Sequence, residues 1–317
     1  MKCDICGGSN IKLVFDRLEG FDYEGHYFAL RKCSDCKTGA LDPKLLFEEV
    51  ENSCYADDYH AYHNVRPKNN IFQRLKNFIK KSALSYYLGY GKKRFWQLIF
   101  YSPFLRMAFY PKYVENGRVL DIGCGIGKYL HYLKELGWNV YGVDISKRAV
   151  EGARASGLDK VFQGELQDVG LEDNLFDVVD MHHVFEHVPD PNRTLREVHR
   201  VLKPGGEVVF TLPNSSSLAA RLFGRHWGGI DIPIHLFYFN RKSLEYALSK
   251  NGFKVNKVYY SDTFRGCAAG LAHLLFFNGR KYEKYFLPFG IALDLVFEPL
   301  LQKFGWGDQI MVKAKKV

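Results

Sequence analysis

Two groups of residues in this 317-residue chain have the types and spacing to do chemistry. The first is Val119-Leu120-Asp121-Ile122-Gly123-Cys124-Gly125-Ile126-Gly127, followed seventeen residues later by Asp144. It reads as a buried strand, a glycine turn, a helix and a second strand ending in an acid. Glycines at 123, 125 and 127 let the backbone turn tightly and come close to a ligand. Tyr141-Gly142-Val143-Asp144 ends the second strand on a carboxylate placed to accept hydrogen bonds from both hydroxyls of a ribose. Such a site suits an adenosine-containing ligand. The second group is His182-His183-Val184-Phe185-Glu186-His187-Val188-Pro189 with the later Pro233-Ile234-His235. Imidazoles and a carboxylate in this density can move protons or hold a metal ion.

The spacing narrows the ligand. A dinucleotide turn shows G-x-G-x-x-G around a pyrophosphate. Here the third glycine arrives one residue early, and Asp121 stands two residues before the first. An anion at the turn repels a pyrophosphate and favours a cation. A dehydrogenase turn or a chance glycine cluster is the rival reading, but the motif has its strand–turn–helix context. These residues resemble the class I S-adenosylmethionine-dependent methyltransferases, whose L-D-x-G-x-G-x-G signature is matched at every position. The resemblance runs from about Gly117 to Pro213 and resumes at His235–Phe253. It implies a cofactor site of Asp121, Gly123, Gly125, Gly127, Asp144, Ile145, Glu165 and His183. Within it, Asp144 would hold the ribose and Glu165 would face the adenine amino group.

Four of the seven cysteines form Cys3-x-x-Cys6 and Cys33-x-x-Cys36. Two such hooks in a chain with no visible export signal read as a tetrahedral, structural zinc site rather than a disulfide framework or a redox pair. Gly7-Gly8 and Lys37-Thr38-Gly39 follow the hooks, where backbone amides can point at thiolates. Lys12–Phe15 and Tyr27–Leu30 read as short strands of a zinc ribbon. Cys54, Cys124 and Cys267 read as packed thiols. A ribbon ahead of such a domain is similar to two families: enzymes that methylate nucleotide-linked sugars, and a group of ribosomal-RNA methyltransferases.

Charge is concentrated between them. Tyr59–Val114 contains eleven Lys and Arg and no Asp or Glu, in a chain whose net charge is +9. The remaining residues together are therefore slightly acidic. Phe72, Leu75, Phe78 and Ile79 recur at helical spacing with basic residues on the other faces. Such a segment suits a cap on the catalytic domain, a polyanion, or peripheral contact of residues 66–112 with a membrane.

Beyond Val114, strands and helices alternate: Arg118–Ile122, Lys128–Leu136, Asn139–Val143, a helix from Lys147, Lys160–Gln163, Phe176–Met181, Asn192–Leu202 and Glu207–Leu212. Lys203-Pro204-Gly205-Gly206 reads as a helix stop. Alternation of this kind predicts an α/β fold with ligands at the carboxyl ends of the strands. With the resemblance, the fold class is a Rossmann-like seven-stranded methyltransferase sheet, its last strand antiparallel, fronted by a small zinc ribbon and a helical cap. The divisions are 1–54, 55–114 and 115–317. Lys254–Tyr260 and Asp308–Lys315 read as the closing strand pair. Between them lies an apolar insertion at about 263–306, which suits core, a dimer surface, or an entrance for a lipid-linked acceptor.

Three readings compete for the histidines. His187 or His235, with Glu186, is the base that deprotonates an attacking hydroxyl. Alternatively, Glu186 and His187 cap the loop under the cofactor. In the third, His183, Glu186, His187 and His235 hold a second divalent metal, as in O-methyltransferases with an E-x-x-E-H pattern; here His183 replaces the first Glu. Pro233–Phe239, Ser243-Leu244 and Asn251-Gly252-Phe253 resemble the tail of methyltransferases found with surface-polysaccharide genes. The resemblance implies O-methylation of a sugar hydroxyl on a free, nucleotide-linked or lipid-linked acceptor. An RNA methyltransferase and a non-catalytic cofactor-binding scaffold are the alternatives. No signal peptide and no run of 18 uncharged apolar residues occur, so a cytoplasmic protein is expected, with peripheral contact at the inner face of the membrane allowed.

Overall fold

A computed structural model gives the fold for residues 1–20, 23–45, 47–54, 84, 88–90, 110–275 and 279–317. Most of the basic 55–114 segment, and Phe276 and Phe277 of the apolar insertion, lie outside the described residues.

Two sheets organise the chain. The N-terminal one contains β1 (Ile11–Gly20), β2 (Tyr23–Cys33) and β3 (Gly39–Asp42), all antiparallel. Both long strands exceed the four-residue stretches expected from the sequence. The helix α1 (Phe47–Cys54) follows.

The second sheet begins with β4 (Arg118–Ile122), α2 (Lys128–Glu135), β5 (Asn139–Asp144), α3 (Lys147–Ala155) and β6 (Val161–Gln163). It continues through β7 (Phe176–His182), α4 (Pro191–Val201), β8 (Leu202–Pro213) and α5 (Leu218–Phe223). Then come β9 (Phe237–Tyr238), α6 (Arg241–Lys250), β10 (Phe253–Ser261), the helices α7 (Thr263–Leu275) and α8 (Gly279–Leu301), and β11 (Gln309–Lys316). The seven strands lie in the order β10-β11-β8-β7-β4-β5-β6, with β11 antiparallel to both neighbours. From β8 to β6 every pairing is parallel, so both faces are covered and Val119, Leu120, Val179, Met181, Val208 and Phe210 are fully buried.

Helix boundaries follow local chemistry. Asp190 caps α4 by accepting from Arg193 N at 2.9 Å, with Pro191 at the first helical position. Asn240 and Ser243 form a reciprocal capping box on α6. The predicted stop at Lys203–Gly206 ends α4 but also lies inside β8. The register jumps from Phe176↔Leu202 to Val178↔Glu207, so those residues bulge out of the strand rather than precede it.

The two sheets are joined. Phe237–Tyr238, from the second half of the chain, form β9 as the fourth strand of the N-terminal sheet by pairing with β3. Ile5, Cys3, Cys33 and Cys36 belong to the same buried cluster as β7, β8 and α4. Asn192 donates to the carbonyls of Asp4 and Ile5 at 2.6 and 3.1 Å, Lys250 Nζ to Ile5 O at 2.7 Å, and Asn240 to Lys37 O at 3.2 Å. On the other side of the large sheet, Leu84 and Tyr110 pack with Leu133, Trp138 and Val209. There Lys313 Nζ donates to Tyr110 O at 2.6 Å.

Candidate functional site

The glycine turn sits where the sequence places it, between β4 and α2. Gly123 N and Cys124 N both donate to Val143 O, at 2.7 and 3.2 Å, which ties the turn to the end of β5. Gly123 has φ +70°, and a Cβ there would run into Val184. Gly127 has φ +79° and starts α2, and a Cβ there would strike Leu158. Both positions therefore require glycine for conformation and for space. Asp144 closes β5 and accepts from Gly125 N at 2.7 Å and Ser146 N at 2.9 Å. Burial raises its carboxyl pKa, and these two amides oppose the rise. The carboxylate is thereby fixed at the rim of the turn.

A cavity of about 390 Å³ opens at the carboxyl ends of β4 to β7. Its wall includes Gly123, Gly125, Asp144, Ile145, Glu165, His183 and His187. Gln167 donates to the Glu165 carboxylate, which holds that side chain at the wall. Asp121, Gly127, Glu186 and His235 stand behind the wall rather than in it. Asp121 is buried, and burial first, then Asp180 and Asp144, pushes its carboxyl well above the usual range. Its place on the inner part of β4, opposite Asp180 on β7, keeps it out of the cavity. Gly127 is turned toward α3 and its following loop.

The acceptor side is built by a long-range contact. Leu236 N and Phe237 N both donate to Glu186 O, at 2.9 and 3.0 Å, which pulls the 229–237 loop onto the end of β7. His235 thereby meets His187 edge to face, with ring centroids 4.8 Å apart. His187 Nδ1 lies 2.7 Å from Ile234 O, and His235 Nδ1 lies 2.9 Å from Gly229 O. A carbonyl only accepts, so each Nδ1 carries its hydrogen, and the Nε2 of His187, whose pKa lies well below neutrality, presents a lone pair. Glu186 is 1% exposed, and neither carboxylate oxygen has a hydrogen-bond partner among the described residues; its ion-pair contact is His183 Nδ1 at 3.4 Å.

One ligand atom from each of Glu186, His187 and His235 lies within 4.8 Å of the others. Burial would raise the Glu186 carboxyl, but His183 foremost, with His187 and His235, holds it at about 2. Burial and His235 lower His187 to about 4. At neutral pH Glu186 is a carboxylate and His187 a neutral imidazole facing the His235 ring. Two imidazoles and a carboxylate suit a divalent cation, and equally suit acceptance of a proton from a hydroxyl. His183, the fourth residue expected here, has φ +55° and lines the cavity beside Glu186.

The four N-terminal cysteines also converge. Cys3 Sγ and Cys36 Sγ are 3.5 Å apart, Cys6 Sγ and Cys33 Sγ 3.6 Å, and all four lie within 4.8 Å of one another. These separations are too long for disulfides, whose sulfurs sit ~2.05 Å apart. They approach the ~3.8 Å that tetrahedral Zn–S bonds of ~2.3 Å require. Gly8 N donates to Cys6 Sγ at 3.3 Å, and Cys36 Sγ bonds Thr38 Oγ1 at 3.3 Å. The Cys36 thiol is pulled down to about 4, chiefly by its hydrogen bond with Cys3. The donor set fits a closed, structural zinc. Cys124 is buried and Cys267 half-buried, both unpaired with another cysteine.

Sequence reasoning missed one wall of the cavity. Leu45, Phe47, Glu48 and Val50, at and beyond the end of the cysteine module, line it. The apolar Leu45-Leu46-Phe47 run after the second hook was the available signal. His182, Ser146, Gln167 and Thr194 were also missed as lining residues.

A family model described as a methyltransferase domain matches residues 92–258. Over 107 residues the chain is 34% identical to a protein of Bordetella avium (strain 197N) named ubiquinone biosynthesis O-methyltransferase, covering 32% of this chain and 44% of that one. A protein of the same name from Xanthomonas oryzae pv. oryzae (strain PXO99A) is 35% identical over 115 residues, 34% of this chain and 48% of that one. A glycine/sarcosine/dimethylglycine N-methyltransferase of Actinopolyspora halophila is 39% identical over 112 residues, 33% and 20% respectively. The chain thus spans less than half the length of these relatives. Among solved structures, a S-adenosylmethionine-dependent methyltransferase from Mesorhizobium loti superposes with a TM-score of 0.45 at 21% identity, covering 66% of this chain and 94% of that one.

Proposed function

The chain belongs to the methyltransferase-domain family, and from that premise we propose that it transfers the methyl group of S-adenosylmethionine to a hydroxyl of its acceptor. One observation carries the hydroxyl: Glu186, His187 and His235 gather beside the cofactor turn, with a buried carboxylate next to His183 and a neutral His187 ring at the cavity wall. S-adenosylmethionine supplies an electrophilic methyl carbon. The protein then has to orient the acceptor oxygen in line, keep water out and receive the proton. His187 faces the cavity and is neutral at physiological pH, so its Nε2 can receive that proton. Held by Glu186, His187 and His235, a divalent ion would lower the pKa of an adjacent hydroxyl.

The acceptor in this reading is a sugar hydroxyl, nucleotide- or lipid-linked, in surface-polysaccharide or related glycan assembly. The resemblance of Pro233–Phe239 and Asn251-Gly252-Phe253 to methyltransferases found with surface-polysaccharide genes supports it. A second reading, a phenolic hydroxyl, is supported by the apolar wall of Leu45, Val50, Val188, Ile234 and Leu236 and by the names of the O-methyltransferase relatives. Cys3, Cys6, Cys33 and Cys36 hold a structural zinc in both, and the module serves as a wall of the cavity.

The test is release of S-adenosylhomocysteine from the purified chain with sugar nucleotides, polyprenyl-linked sugars, catechols and structured RNA as acceptors, with and without chelator. Turnover with a hydroxyl acceptor, lost in Glu186→Gln, supports the proposal. Turnover only with amines or RNA bases would sink it.

A further inference from the structure

The apolar insertion forms a helical hairpin whose outer face is unusual. α8 turns its inner face to α7. A Cβ on Gly290 would approach Phe264 O at 2.8 Å and Arg265 Cα at 3.0 Å. Asp294, one turn later, caps α7 by accepting from Phe264 N at 2.7 Å and Arg265 N at 3.1 Å. Opposite that face runs Tyr282, Tyr285, Phe289, Ala292 and Val296, at steps of three and four residues. This is the spacing of one helical stripe, about 21 Å long. On such a surface helix the outward stripe should be polar. Here Tyr285 is 69% exposed, Phe289 72% and Val296 64%. On α7, Leu274 and Leu275 are exposed by 53% and 57%.

Among the described side chains, lysines edge this face. Lys284 Nζ lies 5.1 Å from the Tyr285 ring centroid, and Lys303 Nζ 4.9 Å from that of the exposed Phe304. The acidic side chain described in α8, Asp294, is buried against α7. An exposed apolar and aromatic stripe edged by lysines matches the boundary of an anionic bilayer, where rings enter the acyl region and ammonium groups meet phosphates. No helix among the described residues is long and apolar enough to cross a membrane, so contact would be with its surface.

We propose that the α7–α8 hairpin docks this protein on an anionic lipid surface through Tyr285, Phe289 and Val296. The assignment stands apart from the identity of the acceptor, and none of these residues lines the cavity.

Sedimentation with vesicles of equal parts phosphatidylcholine and phosphatidylglycerol, against vesicles of phosphatidylcholine alone, tests it. Light scattering reports the oligomeric state in the same samples. The comparison is between wild type and Tyr285→Ser/Phe289→Ser/Val296→Ser. Wild type is expected to partition onto the anionic vesicles at least tenfold more than onto the neutral ones. The variant is expected to lose about tenfold while staying folded and binding S-adenosylhomocysteine normally. Single replacements Phe289→Ser and Phe289→Trp give a second check: the first lowers partitioning and the second preserves it. Absence of vesicle binding would overturn the proposal, as would binding unaffected by the substitutions. So would a stable dimer that the substitutions disperse, since a second copy would then cover the face.

Discussion

His187 and His235 meet edge to face, ring centroids 4.8 Å apart, each with its Nδ1 hydrogen spent on a backbone carbonyl. The two rings come from different loops, and the contact exists because Leu236 and Phe237 bond the carbonyl of Glu186. That hydrogen-bonded junction sets which nitrogen of each ring is available. Replacing either imidazole should leave cofactor binding intact while lowering turnover. His187→Ala is expected to reduce kcat by 10²-fold or more, the usual scale for losing a proton acceptor, with the affinity for S-adenosylhomocysteine changed by less than threefold. Steady-state kinetics alongside calorimetry separates the two quantities.

The lowered pKa of His187 gives a stability signature. Burial first, and His235 second, depress it from the ordinary 6.5 to about 4. Between those pH values the unfolded chain binds a proton that the folded chain does not. Stability therefore rises with pH across that window and falls as pH drops from about 6.5 toward 4. Glu186, held at about 2, adds a loss in the same direction below its ordinary 4.5. Thermal unfolding of wild type and His187→Gln from pH 7 to 5 should show a smaller acid loss in the variant. Parallel curves would contradict the assignment.

Removing a cysteine should show the module to be part of the site. Zinc content of about one per chain is expected by elemental analysis. Cys36→Ser should lower it and cost roughly 10 °C in Tm, because a metal-bound fold loses its binding free energy with its ligand. Since Leu45, Phe47 and Val50 wall the cavity, acceptor KM should rise as well. A zinc-free wild type with unchanged Tm under chelator would argue that the four thiols are not a metal site.

Asn192 offers a test of the docking itself. Its side chain donates to Asp4 O and Ile5 O and accepts from Asn251 Nδ2 at 2.9 Å. Asn192→Leu leaves those groups unpaired in a buried place and should cost about 1–3 kcal/mol, read by denaturant unfolding.

How much of this was legible in the residues depends on how local each feature is. The turn at Gly123–Gly127, Asp144, and β4 to β7 were readable because their spacing encodes the conformation over twenty or so residues. The closing pair, β10 and β11, was readable through the resemblance, since the family fold ends on such an antiparallel pair. The Cys3/Cys6 and Cys33/Cys36 grouping came from hook spacing, which needs no fold. The junction of His235 with His187, the donation of Phe237–Tyr238 to the N-terminal sheet, and the wall formed by Leu45–Val50 depend on contacts between distant parts of the chain. No local pattern announces those. Asp121 was expected at the ligand because its acid type suits a cation, yet its position on β4 points it toward Asp180 beneath the turn. The basic 66–112 segment lies for the most part outside the described residues.

Gly123→Ala is a conformational test of the turn. With φ +70° and Val184 in the way, an added methyl group strains the backbone and shifts a side chain that lines the cavity. Loss of about 1–3 kcal/mol in stability is expected. Cofactor affinity should fall in step, seen by thermal shift with and without S-adenosylhomocysteine.

The most direct measurement is calorimetric titration of wild type and Asp144→Ala with S-adenosylmethionine, S-adenosylhomocysteine and NAD. Asp144 anchors the turn through Gly125 N and Ser146 N and stands in the cavity wall. Affinity on the order of micromolar is expected for the two sulfur ligands, weakened at least tenfold (about 1.4 kcal/mol) by the substitution, with none for NAD. Binding of NAD in preference, or of no ligand at all, would contradict it.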